Sequence, residues 1–261
     1  MKLKYYVIDA FTDKPFHGNP AGVCPLKDWL PNNVMQSIAF ENNLSETAFF
    51  VPREGYYDLR WFTPEAEVDL CGHATLASAF VLMNFIDPAM EHVEFRSQSG
   101  PLFVSRCDDV FMLDFPSRPP ISCEKPAILE RALGVPVLET HCSRDMVALV
   151  EDERTVQAVS PDFALLKQID TFAVVVTAKG NTCDFVSRFF TPQEGINEDP
   201  VTGSSHSSLI PFWSARLGKT QMIAQQLSQR GGELACELCG DRVKIGGKGV
   251  CYLQGEIETT M

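Results

Sequence analysis

The stretch Leu59-Arg60-Trp61-Phe62-Thr63-Pro64-Glu65 returns 128 positions later as Ser187-Arg188-Phe189-Phe190-Thr191-Pro192-Gln193. After each Phe-Thr-Pro the chain passes an acidic loop and reaches a glycine that opens a run of small residues. These runs are Gly72-His73-Ala74-Thr75 in the first half and Gly203-Ser204-Ser205-His206 in the second. An order of strand, turn and helix start that occurs twice predicts two halves built to one design, each around its own core.

The rest of the chain fills in that design. Tyr5 to Phe11 reads as a strand, and Gly18-Asn19-Pro20-Ala21-Gly22 as a tight loop after it. Residues 32 to 43 place Val34, Met35, Ile38 and Ala39 at helical spacing behind Pro31, a suitable helix start. That helix delivers the chain to a strand over Leu44 to Val51, so Glu46 sits at the handover. Residues 74 to 86 are apolar nearly all round, the mark of a helix buried on every side. Its counterpart, from Ser204 to about Arg216, contains Pro211 and is expected to kink or start late. Short strands are expected at 93–96, 102–105, 110–115, 146–150, 172–177 and 184–190. The class is therefore α+β, with a sheet wrapped round a central helix in each half. Three prolines in five residues make Asp114 to Pro120 the linker. The halves are then 1–117 and 118–261, with the last strand able to return to the first half.

Bulk properties exclude several classes of function. With 34 acidic against 22 basic residues the net charge is −12, which repels a nucleic-acid backbone. The run before Asp9 is too short for a signal-peptide core, and no stretch approaches the roughly 18 apolar residues of a membrane span. A cytoplasmic protein with neither nucleic acid nor membrane as partner is expected. The nine cysteines are odd in number and scattered, so reduced thiols are expected, and the lone Cys236-Glu237-Leu238-Cys239 reads as structural. Gly246-Gly247-Lys248-Gly249 lacks the spacing of a phosphate loop, and no His/Glu group has metal-ligand spacing, so neither cofactor nor metal is expected.

The duplication also points to a site. A glycine at a helix start lets a ligand approach unpaired backbone N–H groups at the positive end of the helix. Gly72 and Gly203 facing one cleft would give this acidic chain a place for a small anion, with no need for arginine or metal. Taken singly, each glycine reads first as a tight turn; their paired occurrence is what favours the anion site. His73, Glu198 and Asp199 lie close in sequence to these glycines. Glu46, between Leu44 and Ala48-Phe49-Phe50, is the carboxyl placed to be desolvated and so able to carry protons near neutrality. The alternative for Glu46 is a solvated charge at a strand end.

Several ordered segments resemble the signature of the PhzF-like family of phenazine-biosynthesis-like proteins. They are Asp9-Ala10-Phe11-Thr12, Pro15 to Gly22, Leu44-Ser45-Glu46-Thr47-Ala48-Phe49, the Phe-Thr-Pro and Gly-His-Ala-Thr runs, and Glu198-Asp199-Pro200-Val201-Thr202-Gly203-Ser204. Arg230 to Leu234 and Val243 to Gly247 fit as well. The resemblance implies the diaminopimelate-epimerase-like fold: two pseudo-symmetric halves, each a sheet rolled round a central helix, with the active site between them. It implies a cofactor-independent isomerase that moves a proton between carbons of a small, carboxylate-bearing, dihydro-hydroxyanthranilate-like substrate. Glu46 would be its acid/base, with His73 and Asp199 as catalytic partners. Asn19, Gly72, Gly203 and Ser204 would contact substrate, and a homodimer is implied.

Cys71 stands where related diaminopimelate epimerases carry a catalytic thiol. The matching stretch of the second half is read as Pro200-Val201, with no second thiol, so Cys71 is expected to be a small buried side chain. Two other readings stay open: an epimerase pairing Cys71 with a carboxylate, and a metabolite-binding or interaction protein that keeps the fold without turnover.

Overall fold

The computed structural model describes residues 1–259. The chain forms two compact units: Met1–Asp114 together with the chain from Gly246 onward, and Phe115–Ile245.

In the first unit the elements are β1 (Lys2–Ala10), β2 (Asn19–Pro25), α1 (Asn32–Asn42), β3 (Glu46–Pro52), β4 (Tyr57–Phe62), β5 (Glu67–Val68), α2 (Gly72–Val81), β6 (His92–Ser97), β7 (Gly100–Cys107) and β8 (Val110–Pro116). A π-helical turn, Leu82–Ile86, extends α2. The second unit carries β9 (Ile121–Ser122), α3 (Leu129–Leu133), β10 (Glu139–Cys142), β11 (Met146–Leu149), α4 (Glu153–Ala158), α5 (Phe163–Leu166), β12 (Val174–Lys179), β13 (Phe185–Thr191), β14 (Ile196–Asp199), α6 (His206–Leu217), β15 (Gln221–Gln226), β16 (Gly232–Cys239) and β17 (Arg242–Gly247). The last strand, β18 (Gly249–Glu258), pairs with β1 in the first unit.

The pairing order is the same in both units. β2 lies parallel to β3, β3 antiparallel to β4, β4 parallel to β6, and β6 antiparallel to β7. In the second unit β11, β12, β13, β15 and β16 repeat that series of directions. The short strands β5 and β14 hang on β4 and β13 in turn. The fold is the α+β arrangement expected of a duplicated chain.

The helices obey their sequences. Every residue of α2 except Phe80 is buried, and α2 packs on β1, β2, β3 and β18. Small residues such as Ala74, Ala77 and Ala79 let those strands close round it. α6 starts three residues after Gly203, later than α2 starts from Gly72, and it carries Pro211 inside. Proline lacks the N–H that would bond the Ser207 carbonyl, and that carbonyl instead accepts the backbone N–H of Arg118 at 2.8 Å.

Three expectations are corrected. Asn19–Pro25 is a strand, not a loop: its residues are mostly buried between β1 and β3, and of the five residues from Gly18 to Gly22, Gly18 alone belongs to the turn that precedes it. Gly18 has φ +65°, and a Cβ there would lie 2.1 Å from the Ala10 carbonyl oxygen. β8 runs on to Pro116, so the linker is shorter than Asp114 to Pro120. Cys123 and Cys142 form a disulfide, because the β9–β10 pairing brings residues 19 apart in sequence together. Cys236 and Cys239 are not joined to each other by a disulfide. Three apart on β16, they project to opposite faces of the strand.

Candidate active site

The duplicated design carries the same clamp twice. Arg60 on β4 makes a two-pronged ion pair with Glu67 on β5, at 2.7 and 2.6 Å. Arg188 on β13 does the same with Glu198 on β14, at 2.8 and 2.9 Å. Glu67 and Glu198 are 131 residues apart, as are Gly72 and Gly203. Each clamp fixes the short strand from which the chain enters the glycine turn.

Glu46 opens β3, after α1 ends on the left-handed Asn43 (φ 50°). The strand behind it is wholly buried from Thr47 to Val51, and its own side chain is 14% exposed. Its Oε2 lies 3.1 Å from Nε2 of His73, the second residue of α2. The other ring nitrogen, Nδ1, is 3.2 Å from the Asn19 side-chain amide nitrogen and 3.5 Å from Cys71 Sγ. With the Asn19 amide donating, Nδ1 is the acceptor and Nε2–H faces the Glu46 carboxylate. Turning the amide round offers its oxygen to an Nδ1–H, so the same neighbour accommodates the imidazolium.

Electrostatics favour that imidazolium. Burial opposes a charge on His73, but the Cys71 sulfur and the Glu46 carboxylate outweigh it and hold the ring well above the usual histidine range. Burial, reinforced by the Glu46 charge, pushes the Cys71 thiol up. His73 thus lies against both Glu46 and Asn19. Cys71 is buried as expected, but it also lies against the His73 ring.

No metal cluster was expected from sequence spacing, yet ligand atoms of Glu46, Cys71 and His73 lie within 4.8 Å of one another, close enough to share an ion. The thiol and imidazolium protons would have to leave first.

The other expected residues lie on one loop of the second unit. The Thr202 hydroxyl donates to Asp199 Oδ2. Buried Gln226 accepts the Thr202 backbone N–H at 2.9 Å and donates to the Asp199 carbonyl at 2.7 Å. The Gly203 carbonyl accepts the His206 N–H that begins α6. Ser204 Oγ accepts a hydrogen bond from Arg144 Nη2 at 3.1 Å, so an arginine stands at this helix start although the reading from the glycines required none. Gln226 and Arg144 were both missed, since neither lies in a recurring motif.

The registers give a further correction. Thr202, not Pro200 or Val201, occupies the position of Cys71, directly before the glycine, and Ser204 that of His73. Thr47 pairs with Phe62, and Val174 with Phe190. The counterpart of Glu46 is therefore Ala173, so a carboxyl at this position occurs in one half alone.

With this geometry in view, the chain can be compared with known proteins. Residues 8–255 match the PhzC-PhzF family model, described as phenazine biosynthesis-like protein. An uncharacterized isomerase of Pseudomonas aeruginosa is 51% identical over 98% of this chain and 99% of its own length. The crystal structure of an Enterococcus faecalis phenazine biosynthesis protein of the PhzF family superposes with a TM-score of 0.98. It is 50% identical, over 99% of this chain and 100% of that one. A hydroxyproline epimerase from Agrobacterium vitis shares the fold at a TM-score of 0.64 and 12% identity, over 98% of this chain and 92% of that one. The match over nearly the whole sequence, by model, relative and structure alike, makes this chain a member of the PhzC/PhzF phenazine-biosynthesis-like family and, with its curated relatives, an isomerase.

Proposed function

We propose that the protein moves a proton between carbons of a small carboxylate-bearing substrate, a cyclic one of the dihydro-hydroxyanthranilate kind included, without a cofactor. The observation that carries this is the Glu46–His73 pair: a carboxylate at the edge of an apolar strand, 3.1 Å from a buried imidazole. Glu46 takes the proton from an acidic carbon and returns it to a neighbouring one. His73 holds the carboxyl group in place and stabilises its charge before the first transfer and after the second. Asp199, held by Thr202, serves as a further polar catalytic group. Asn19, Ser204 and the backbone at Gly72 and Gly203 contact the substrate, the glycines supporting its negative charge through the helix starts.

A single base agrees with Ala173 standing at the Glu46 position of the second half. The pairing of Cys71 with a carboxylate as two bases is less well supported, because it needs a thiolate in one direction of turnover and burial, reinforced by the Glu46 charge, disfavours that form. Substrate conversion in the cytoplasm by a homodimer completes the reading.

The test is deuterium wash-in from heavy water into a panel of cyclic and acyclic carboxylic acids. Exchange by the wild type that vanishes in Glu46→Gln is expected. Loss in Cys71→Ser with retention in Glu46→Gln would transfer the role of base to the thiol.

A further inference from the structure

Arg144 lies two residues before β11 and is held on three sides. Its Nε and Nη2 donate to the two carboxylate oxygens of Asp145 at 2.9 and 3.2 Å, and Asp145 is 2% exposed. The guanidinium carbon lies 4.4 Å from the centre of the Phe172 ring. Nη2 also donates to Ser204 Oγ. An arginine so fixed has lost its rotamer freedom before any ligand arrives, yet its side chain remains 31% exposed. Nη1 makes no hydrogen bond among the described residues.

The duplication says what this position is for. Gly22 pairs with Thr47, and Met146 with Val174, so Ser143 and Arg144 are the counterparts of Asn19 and Pro20. In the first unit the residue entering the parallel strand, Asn19, reaches His73. In the second, Arg144, one place further along, reaches Ser204, the counterpart of His73. Both halves thus send a polar side chain from the same strand start to the same point on the helix start. One sends an amide to the acid/base partner and the other sends a cation. Asp145 offsets much of the charge of Arg144, but it leaves the exposed edge of the guanidinium, with Nη1, beside the start of α6 as a fixed donor that an anion can use.

We infer that Arg144 is a specificity-determining residue, whose guanidinium takes the substrate carboxylate beside Ser204. The inference rests on the proton-transfer reading for its substrate class and names the group that recognises it.

The test is direct binding, independent of turnover. Calorimetric titration of 2-amino-3-hydroxybenzoate and of 2-aminophenol, which lacks only the carboxylate, gives the preference for the acid. The variants are Arg144→Gln/Asp145→Asn, which leaves no buried carboxylate without its cation, and Glu46→Gln. The wild type and Glu46→Gln should prefer the acid by about tenfold or more, and the double variant should lose that preference. Arg144→Lys keeps a cation for Asp145 but not the fork, and should lower the preference several-fold; it decides the matter should the double variant fail to fold. An unchanged preference in these Arg144 variants, or none in the wild type, overturns the assignment. Exchange that persists in Glu46→Gln would sink the proton-transfer reading instead, and the binding comparison would still decide Arg144.

Discussion

His206 couples acid stability to the geometry of the glycine loop. It is wholly buried at the start of α6, with Nδ1 2.9 Å from the Thr202 carbonyl oxygen and its ring 5.8 Å from that of Phe185. Since a carbonyl can only accept, Nδ1 carries the hydrogen. Nε2 is buried without a hydrogen-bond partner among the described residues, so a second proton has nowhere favourable to go. Burial pushes the ring down from 6.5 to about 4, against a small opposing effect of the Thr202 carbonyl. The unfolded chain takes up a proton as pH falls through 6.5, whereas the folded chain does so only near 4. The stability that the neutral ring allows is therefore present above pH 6.5 and is lost on the way down to about 4, a loss of about 3 kcal/mol. The assay is urea unfolding of the wild type and His206→Gln at several pH values between 4 and 7. Carboxylates such as Glu67 and Asp184, which other contacts hold below their usual range, titrate in both proteins and cancel in the difference. The wild type should lose about 3 kcal/mol relative to the variant between pH 7 and 4. Parallel curves would refute the reasoning.

Two further substitutions test how the site is held. Arg188→Gln leaves the partly buried Glu198 without its two-pronged partner and should cost about 2 kcal/mol in thermal or urea unfolding; Arg188→Gln/Glu198→Gln should recover part of that. Gly18→Ala forces a Cβ to within 2.1 Å of the Ala10 carbonyl oxygen in a left-handed backbone. It should cost about 2 kcal/mol or more and, by displacing Asn19 from His73, lower the rate of deuterium exchange.

The duplication was legible in the sequence because Phe-Thr-Pro and the following glycine are tied to local structure. A strand, a turn and a helix start need those residue types wherever they occur. Glu46 and His73 were legible from the segments that carry the family resemblance, and the buried character of α2 from its unbroken apolar surface. What escaped depends on tertiary pairing. Arg144 has Pro20 as its counterpart, so no echo marks it, and its contact with Ser204 spans 60 positions. The disulfide needs the β9–β10 register, which two residues of β9 barely announce. Pro20 and Gly22 are turn residues by local preference, yet tertiary burial between two strands makes that segment β2. The contact of Cys71 with His73 is equally non-obvious. Residues two apart within a helix do not face each other, but Cys71 is the extended residue just outside it, at φ −144°.

The central claim is that Glu46 alone moves the proton. Glu46→Gln preserves the shape of the side chain and removes the base, so deuterium wash-in from heavy water, measured by mass spectrometry on the carboxylic acid that the wild type exchanges, tests it most directly. The account predicts exchange in the wild type and none above background in Glu46→Gln. Undiminished exchange in the folded variant would contradict it.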